Sequence, residues 1–495
     1  MDLKTAKDPG ALFLGLWQLM ASVDINDAAN APGCSRQLQG KFGAALSADN
    51  PGDASNAFWT LLCEAWPSGL SPQMVREQVA VSLCAMRAID DLFLLVHPRT
   101  VLLAPDVPTA ALPLWLEVLA ERRTIHGAYA QNHSHRLLTR GPLSRAPTSA
   151  AEVPGYSLPE QFAALQVVPL TVRHGLRELP IVMKVVDQAA TRGVPPGKTG
   201  AERIAILPVA DEKEDLQHAI TMRDENEYLA VLPGADLRPV EKVLATLDDC
   251  DDADVFLLPE LVFESAHVEA LSEALDGRRA PRIIVAGSGL VDHEQAGNPK
   301  YNAGSVLNGL GASLWAHRKT WAYWMLEQSA GLLDLQGRSG HQHLREDITM
   351  GGELTMVDID SFGRCIVLIC QDFQMPVAVE DILTTYQPDW VFVPILDTGT
   401  GFERWPRVRA SNLAGLSQAR FLIASSLAMT HWLKDPEAEP AIGLAIGPAQ
   451  VARANDDDAN RAIKAVKCIS TQKRYGIIEW RSGDGWETSG FNSPS

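Results

Sequence analysis

The stretch "RCIVLICQDFQMP", residues 364–376, decides the fold. Ile366, Val367, Leu368 and Ile369 form an apolar run without alternation, the pattern of a strand buried on both faces. The run ends in Cys370, and Asp372 follows two residues later. A cysteine finishing a strand is most often a small core hydrophobe. Chemistry becomes the better reading only if other strands deliver reactive side chains to the same end of a sheet.

The neighbouring sequence supplies such strands. "ELTMVDIDSFGRCIVLIC" reads as a strand pair turning at Asp360 to Gly363, and "DWVFVPIL", "RFLIASSL" and "GLAIGPA" follow as further strands. Upstream, "RIAILPVA", "DVFLLPE" and "RIIVAGSGLV" are strand-like. Between them, "DLRPVEKVLATLDDC" places Val240, Val243, Leu244 and Leu247 on one helical face, and "FESAHVEALSEAL" is a second helix. "AGSVLNGLGASLWAHRK" has two β-rich runs about a glycine-rich turn, a hairpin pattern. Strands alternating with helices predict helix layers over sheet.

Residues 1–190 have a different texture. "SPQMVREQVAVSLCAMRAIDDLFLLV" reads as a helix with Ser71 as N-cap and Pro72 in the first turn, and "LPLWLEVLAERRTIHGAYAQ" continues in that style. "TRGVPPGKTG" reads as a linker. The expected organisation is therefore a mostly helical domain over 1–190, a linker over 191–202, a catalytic-type α/β domain over 203–482 and a tail over 483–495.

The chain has 495 residues, a formal net charge of −18 and 46% hydrophobic content, enough for two or more domains with real cores. The charge is uneven: residues 1–200 carry 17 basic and 17 acidic side chains, which leaves 26 basic against 44 acidic in residues 201–495. An acidic C-terminal part argues against a broad nucleic-acid surface and against adhesion to anionic lipid. Seven scattered cysteines with no C-x-x-C pair fit neither a zinc site nor a disulfide framework and point to a reducing compartment. "ALFLGLWQLMAS" near the start reads as an amphipathic helix rather than a signal core, and no apolar run is long enough to span a bilayer. A cytoplasmic location is expected.

Three strand ends carry the chemistry: Glu260 after "DVFLLP", Lys319 after "LWAHR" and Cys370 after "IVLI". A thiol is a good nucleophile only as thiolate, so it needs a base or a cation beside it. Glu260 can accept its proton. Lys319 can hold the thiolate and then the oxyanion formed when a carbonyl is attacked, with the backbone N–H of Gln371 as a second donor.

"PEL" with Glu260, "HRKTW" with Lys319 and "ICQDFQMP" with Cys370 resemble, in order and context, the three signature motifs of the nitrilase superfamily of carbon–nitrogen hydrolases. "YNAGSVLNGLG", "DIDSFGRCIVLICQD" and "PDWVFVPIL" extend the resemblance over roughly 203–480. It implies an α/β fold, a four-layer α-β-β-α sandwich. It also implies cofactor-free hydrolysis of a non-peptide C–N bond, in a small amide, ureide or carbamoyl compound rather than a nitrile, through a thioester on Cys370. Glu260 would be the general base and acid, Lys319 the oxyanion stabiliser, and Glu327, eight residues beyond Lys319, a fourth catalytic residue. Trp321, Asp372 and Trp405 are candidates for the substrate pocket. A homo-oligomer is implied, although Ser417 and Gln418 stand where the family carries Glu and Asn. The segment "GLLDLQGRSGHQHLRED" lengthens the gap between Lys319 and Cys370.

Other signals are discounted. "VPPGKTG" lacks the P-loop spacing, and the glycines of "GSGLVD" lack the rest of a dinucleotide fingerprint. "HSH" at 133–135 and "HQH" at 341–343 lack a further ligand at metal spacing, so no metal site is expected. The alternative to a hydrolase is a regulatory subunit of a multi-protein complex, its nitrilase-like part non-catalytic and its residues 1–190 docking a protein partner.

Overall fold

The computed structural model describes residues 6–21, 35–66, 72–96, 113–141, 158–186, 200–223, 225–275, 281–325, 344–360, 362–400, 404–432, 440–447, 462–481 and 485–488. Two compact units are resolved: Met1–Thr171 with Met183–Val185, and Val172–Val182 with Val186–Ser495. Ser71, Glu327, the His341 and His343 pair, most of the lengthened segment and "VPPGKTG" up to Thr199 lie outside the described residues.

The first unit is built on helices Pro9–Met20, Arg36–Ala45, Pro51–Ala65, Pro72–Val96 and Leu114–His126. Their starts follow from local chemistry: Asp8 and Asn50 cap helices whose first residue is proline, and Ser35 caps a third. Leu12, Phe13, Phe42, Phe58 and Trp115 are buried in one core. A small antiparallel sheet of β1 (Ala130–Gln131), β2 (His135–Thr139) and β3 (Leu165–Pro169) completes the unit. The fully hydrogen-bonded Asp90 carboxylate accepts from the amides of Ala163, Ala164 and Leu165 and joins helix to sheet. His133 and His135 belong to the β1–β2 turn, where Asn132 accepts from the amides of Ser134 and His135. Cys84 is disulfide-bonded, unlike the reduced thiols expected from the cysteine spacing. Cys63, Cys250, Cys365, Cys370 and Cys468 are free.

The second unit is a sandwich. One eight-stranded sheet runs in the order β11 (Gly289–Val291), β12 (Tyr301–Leu307), β10 (Ile283–Val285), β9 (Val255–Leu257), β6 (Arg203–Ile206), β22 (Gly476–Arg481) and β23 (Gly485–Thr488), with β13 (Ser313–Arg318) also paired to β12. The other runs β21 (Ile463–Val466), β20 (Gly443–Ile446), β19 (Arg420–Ser425), β18 (Trp390–Ile395), β17 (Gly363–Val367), β16 (Leu354–Ile359), β5 (Arg177–Val186) and β4 (Thr171–His174). Inner faces meet where the Trp390 and Trp486 rings lie 6.4 Å apart and where Gly443 lets Ile206 approach. Helices Pro239–Asp249 and Ser265–Ala274 cover the first sheet with Val243, Leu247 and Leu271. The second sheet is covered by Gln371–Gln374, Pro376–Asp381 and Trp405–Ala414, with Phe373 against Phe421. The layers are α-β-β-α, as expected.

Two boundaries differ from the sequence reading. Strands β4 and β5 extend the second sheet from residue 171 onward, within the stretch assigned to the helical domain, because β5 finds its hydrogen-bonding partner in β16. The expected tail contains β23, paired antiparallel to β22, because Trp486 buries itself against Trp480 at 5.0 Å. A third sheet, β14 (Trp324–Met325), β15 (Leu344–Glu346), β8 (Asn226–Pro233) and β7 (Leu216–Arg223), lies outside both large sheets.

Candidate active site

Cys370 stands where strand β17 gives way to a helical turn. Strand β17 pairs in parallel with β18, and the ladder continues past its end through Leu368 N–H to Phe392 O (2.9 Å) and Cys370 N–H to Pro394 O (2.9 Å). The chain then turns sharply at φ 46°, ψ −101°, a sparsely populated conformation for a residue with a side chain. The helix Gln371–Gln374 starts there, so the amide of Gln371 opens it.

Glu260 leaves the end of β9 in the opposite sheet. Its backbone is held by the Glu260 N–H donating to Ile395 O (3.4 Å). The turn around Glu260 leaves no room for a side chain at residue 287. A Cβ on Gly287, at φ 62°, would come within 1.9 Å of the Pro259 carbonyl oxygen, and one on Gly289 within 2.0 Å of that of Phe263. The "GSGLVD" glycines therefore serve a close backbone crossing. Lys319 follows β13, with its N–H bonded to Asn302 O (2.8 Å) and its carbonyl accepting from Gly351 (2.7 Å).

These three side chains converge in the interior. Lys319 Nζ donates to Glu260 Oε1 at 2.7 Å and to Glu346 Oε2 at 2.7 Å. Asn302 Nδ2 bridges the same two carboxylates at 2.9 Å and 3.1 Å. Tyr323 N–H adds a bond to Glu346 Oε2 at 2.9 Å. The Cys370 thiol lies under the electrostatic influence of Glu260, Lys319 and the amide of Leu396. Glu260, Lys319, Glu346 and Cys370 are all buried.

Burial sets the electrostatics, modified by the four charges. Desolvation raises the Glu260 pKa and the nearby Glu346 adds to it, against the pull of Lys319. Desolvation opposes the Lys319 charge, but Glu260, Glu346 and Cys370 more than reverse this and hold its pKa well above the ordinary amine value. The Cys370 thiol is pushed well above its usual value by burial and by Glu260, with Lys319 and the Leu396 amide opposing. At rest the sulfur is held in its thiol form, and the Glu260 carboxylate is held by the Lys319 ammonium.

Glu346 is the residue that sequence reasoning missed. The second glutamate beside Lys319 is Glu346 of β15, 27 residues on, in the lengthened segment, whereas Glu327 lies outside the described residues. No local signal marks "LRED" as catalytic; the charge of Lys319, buried between two elements, is the only hint that a second carboxylate is needed.

Asp372 is not a pocket residue. It is 2% exposed, and Oδ1 accepts from Thr320 N (3.0 Å), Thr320 Oγ1 (2.9 Å) and Trp321 N (2.9 Å). Oδ2 meets His317 Nε2 at 3.2 Å. The carboxylate clasps the turn after Lys319 to the turn after Cys370, so its acceptors are already used. Trp321 is half-buried with its ring edge beside Gly175. Trp405 is half-buried and donates its indole N–H to Asp397 Oδ2 at 2.6 Å. Tyr323, not singled out from sequence, has its phenol pKa raised by burial, Cys370 and Asp397, which places it at the same site. Among the described residues no group of three or more His, Cys, Asp and Glu side chains is arranged to hold a metal, and no described helix is long and apolar enough to cross a membrane.

No family model and no curated protein matches the chain. Among solved structures, the chain is similar to Saccharomyces cerevisiae Nit3, a member of branch 10 of the nitrilase superfamily, at 13% identity and a TM-score of 0.37, over 57% of this chain and 90% of that one. It is also similar to an amidase from Nesterenkonia sp. at 13% identity and a TM-score of 0.36, over 59% of this chain and 95% of that one.

Proposed function

We propose that the protein is a cysteine-dependent hydrolase of a non-peptide C–N bond in a small amide, ureide or carbamoyl compound. The observation that carries this reading is the Lys319 ammonium held at 2.7 Å from both Glu260 and Glu346, with the buried Cys370 thiol under the influence of the same charges. A purely structural ion pair needs no thiol on a strained strand end, and a buried charge cluster is expensive to keep.

Chemistry follows from the arrangement. Cys370 Sγ attacks the substrate carbonyl carbon as its proton passes to Glu260. The oxyanion is met by Lys319 and by the Gln371 amide. Glu260 returns the proton to the departing nitrogen, the C–N bond breaks, and ammonia or an amine leaves a thioester on Cys370. Water then attacks the thioester and gives a proton to Glu260. The C–S bond breaks, the acid is released, and the sulfur regains its proton. Glu346 keeps Lys319 charged and aimed through both steps, and Asn302 fixes the two carboxylates.

The test is ammonia release from a panel of small primary amides and carbamoyl compounds, alongside labelling of the cysteines with iodoacetamide. Turnover that vanishes in Cys370→Ala, with Cys370 labelled faster than Cys63, Cys250, Cys365 and Cys468, is expected. Equal labelling of these thiols and no turnover would overturn the proposal in favour of a non-catalytic subunit.

A further inference from the structure

The sheet β14-β15-β8-β7 adds nothing to the two large sheets, yet it ends at Glu346. We propose that the β7–β8 hairpin is a positioning device for Glu346, acting through Thr221, Arg223 and Asp347. This rests on the reading of Cys370 as a nucleophile and adds a structural determinant of its reactivity.

Strand β15 has three residues, pairs in parallel with β8 through Arg345 opposite Tyr228 and Glu346 opposite Leu229, and cannot by itself hold a buried carboxylate still. Asp347 supplies the anchor. Its N–H donates to Leu229 O at 2.8 Å. Its carboxylate accepts from the Thr221 hydroxyl at 2.5 Å and pairs with the Arg223 guanidinium. Thr221 and Arg223 are two apart on β7, so both project from one face of the hairpin. Arg223 also lies 4.8 Å above the Tyr228 ring, and Tyr228 is the residue that opposes Thr221 across the hairpin. The residue next to Glu346 is thus fixed from β7 and β8 together, while the Glu346 N–H donates to Tyr323 O at 2.9 Å. Between these restraints the carboxylate meets Lys319, Asn302 and the Tyr323 amide.

The consequence is electrostatic. Cys370 is faced by Glu260 after β9, Lys319 after β13, Tyr323 before β14 and the Leu396 amide after β18, with Glu346 reaching it through Lys319. If Glu346 swings away, the Lys319 charge is offset by Glu260 alone and favours the thiolate. The pH midpoint of Cys370 alkylation then falls. A change that merely loosened the fold would lower the melting temperature without this directed shift.

The experiment uses the full chain, iodoacetamide and mass spectrometry of the Cys370 peptide, from about pH 7 to 12. Glu346→Gln is expected to lower the midpoint by about one pH unit, the size of one nearby charge removed from a buried site. The pair Arg223→Met and Thr221→Val is expected to move it the same way by about half as much. Arg223→Lys with Thr221→Ser should restore the wild-type midpoint. The Met/Val pair should add nothing once Glu346 is Gln. A midpoint that moves in Glu346→Gln but not in the hairpin pair, or an equal hairpin effect in the Glu346→Gln background, overturns the inference. Should the double variant unfold, Asp347→Asn carries the same expectation and the same refutation. Labelling of wild-type Cys370 no faster than the other free thiols would instead sink the proposed function, which keeps the two failures apart.

Discussion

Single residues show how far burial alone can move chemistry. Glu202 is fully buried just before β6, and its Oε1 accepts from the Gly200 amide at 2.7 Å while Oε2 has no hydrogen-bond partner among the described residues. Desolvation pushes its pKa from 4.5 to about 7. A folded-state pKa above the unfolded one means that the folded protein binds more protons between these values. Its contribution is intact below about pH 4.5 and is lost as pH rises toward 7. Glu202→Gln should therefore stabilise the protein at pH 8 by up to about 3 kcal/mol and leave it unchanged near pH 4. Urea denaturation at the two pH values measures this; an equal gain at both would refute the assignment.

At the scale of elements, the site is assembled from ends. The turn after β17 ends a buried strand and the turn after β13 ends one that alternates exposed and buried residues, and neither is long enough to hold its neighbour by apolar packing. The Asp372 carboxylate joins them through the Thr320 and Trp321 amides and His317. Asp372→Ala leaves two buried amides and a hydroxyl without acceptors and should cost about 3–5 kcal/mol. The midpoint of chemical unfolding reads this loss, with Asp372→Asn retaining part of the stability. A loss under about 1 kcal/mol would mean that the clasp is not what holds the turns together.

On the scale of the whole molecule, one chain holds two separate cores. Leu12, Phe13, Phe42 and Phe58 belong to one cluster, and Ala205, Phe256, Leu258 and Ile284 to another. Units with separate cores unfold as separate cooperative steps. Phe58 is fully buried with its ring 4.8 Å from that of Phe42. Phe58→Ala should lower one calorimetric transition, by about 3–5 kcal/mol in the unit concerned. The rate of Cys370 alkylation should stay at the wild-type value. Movement of both transitions together would show that the cores unfold as one.

The sequence by itself determined the layer plan and three of the four side chains of the proposed site. A strand buried on both faces has to be apolar along its length, so Glu260 and Cys370, which follow β9 and β17, are conspicuous. Lys319 follows the alternating strand β13 and is legible from its place in order between the other two. The helix start at Pro72 was readable for a similar reason, since proline acts within the first turn. Only the tertiary structure decided the rest. Glu346 meets Lys319 because a hairpin more than a hundred residues earlier in the chain pairs with its strand, and neither segment carries a mark of that pairing. Asp372 could face a pocket or the interior with equal local propriety, until packing of β13 against the Cys370 turn chose the interior. Strands β4, β5 and β23 acquire their place from partners distant in sequence. Local patterns record what one segment needs from its surroundings; which segment supplies it is settled when the chain closes on itself, because hydrogen bonds and charges pair by position in space.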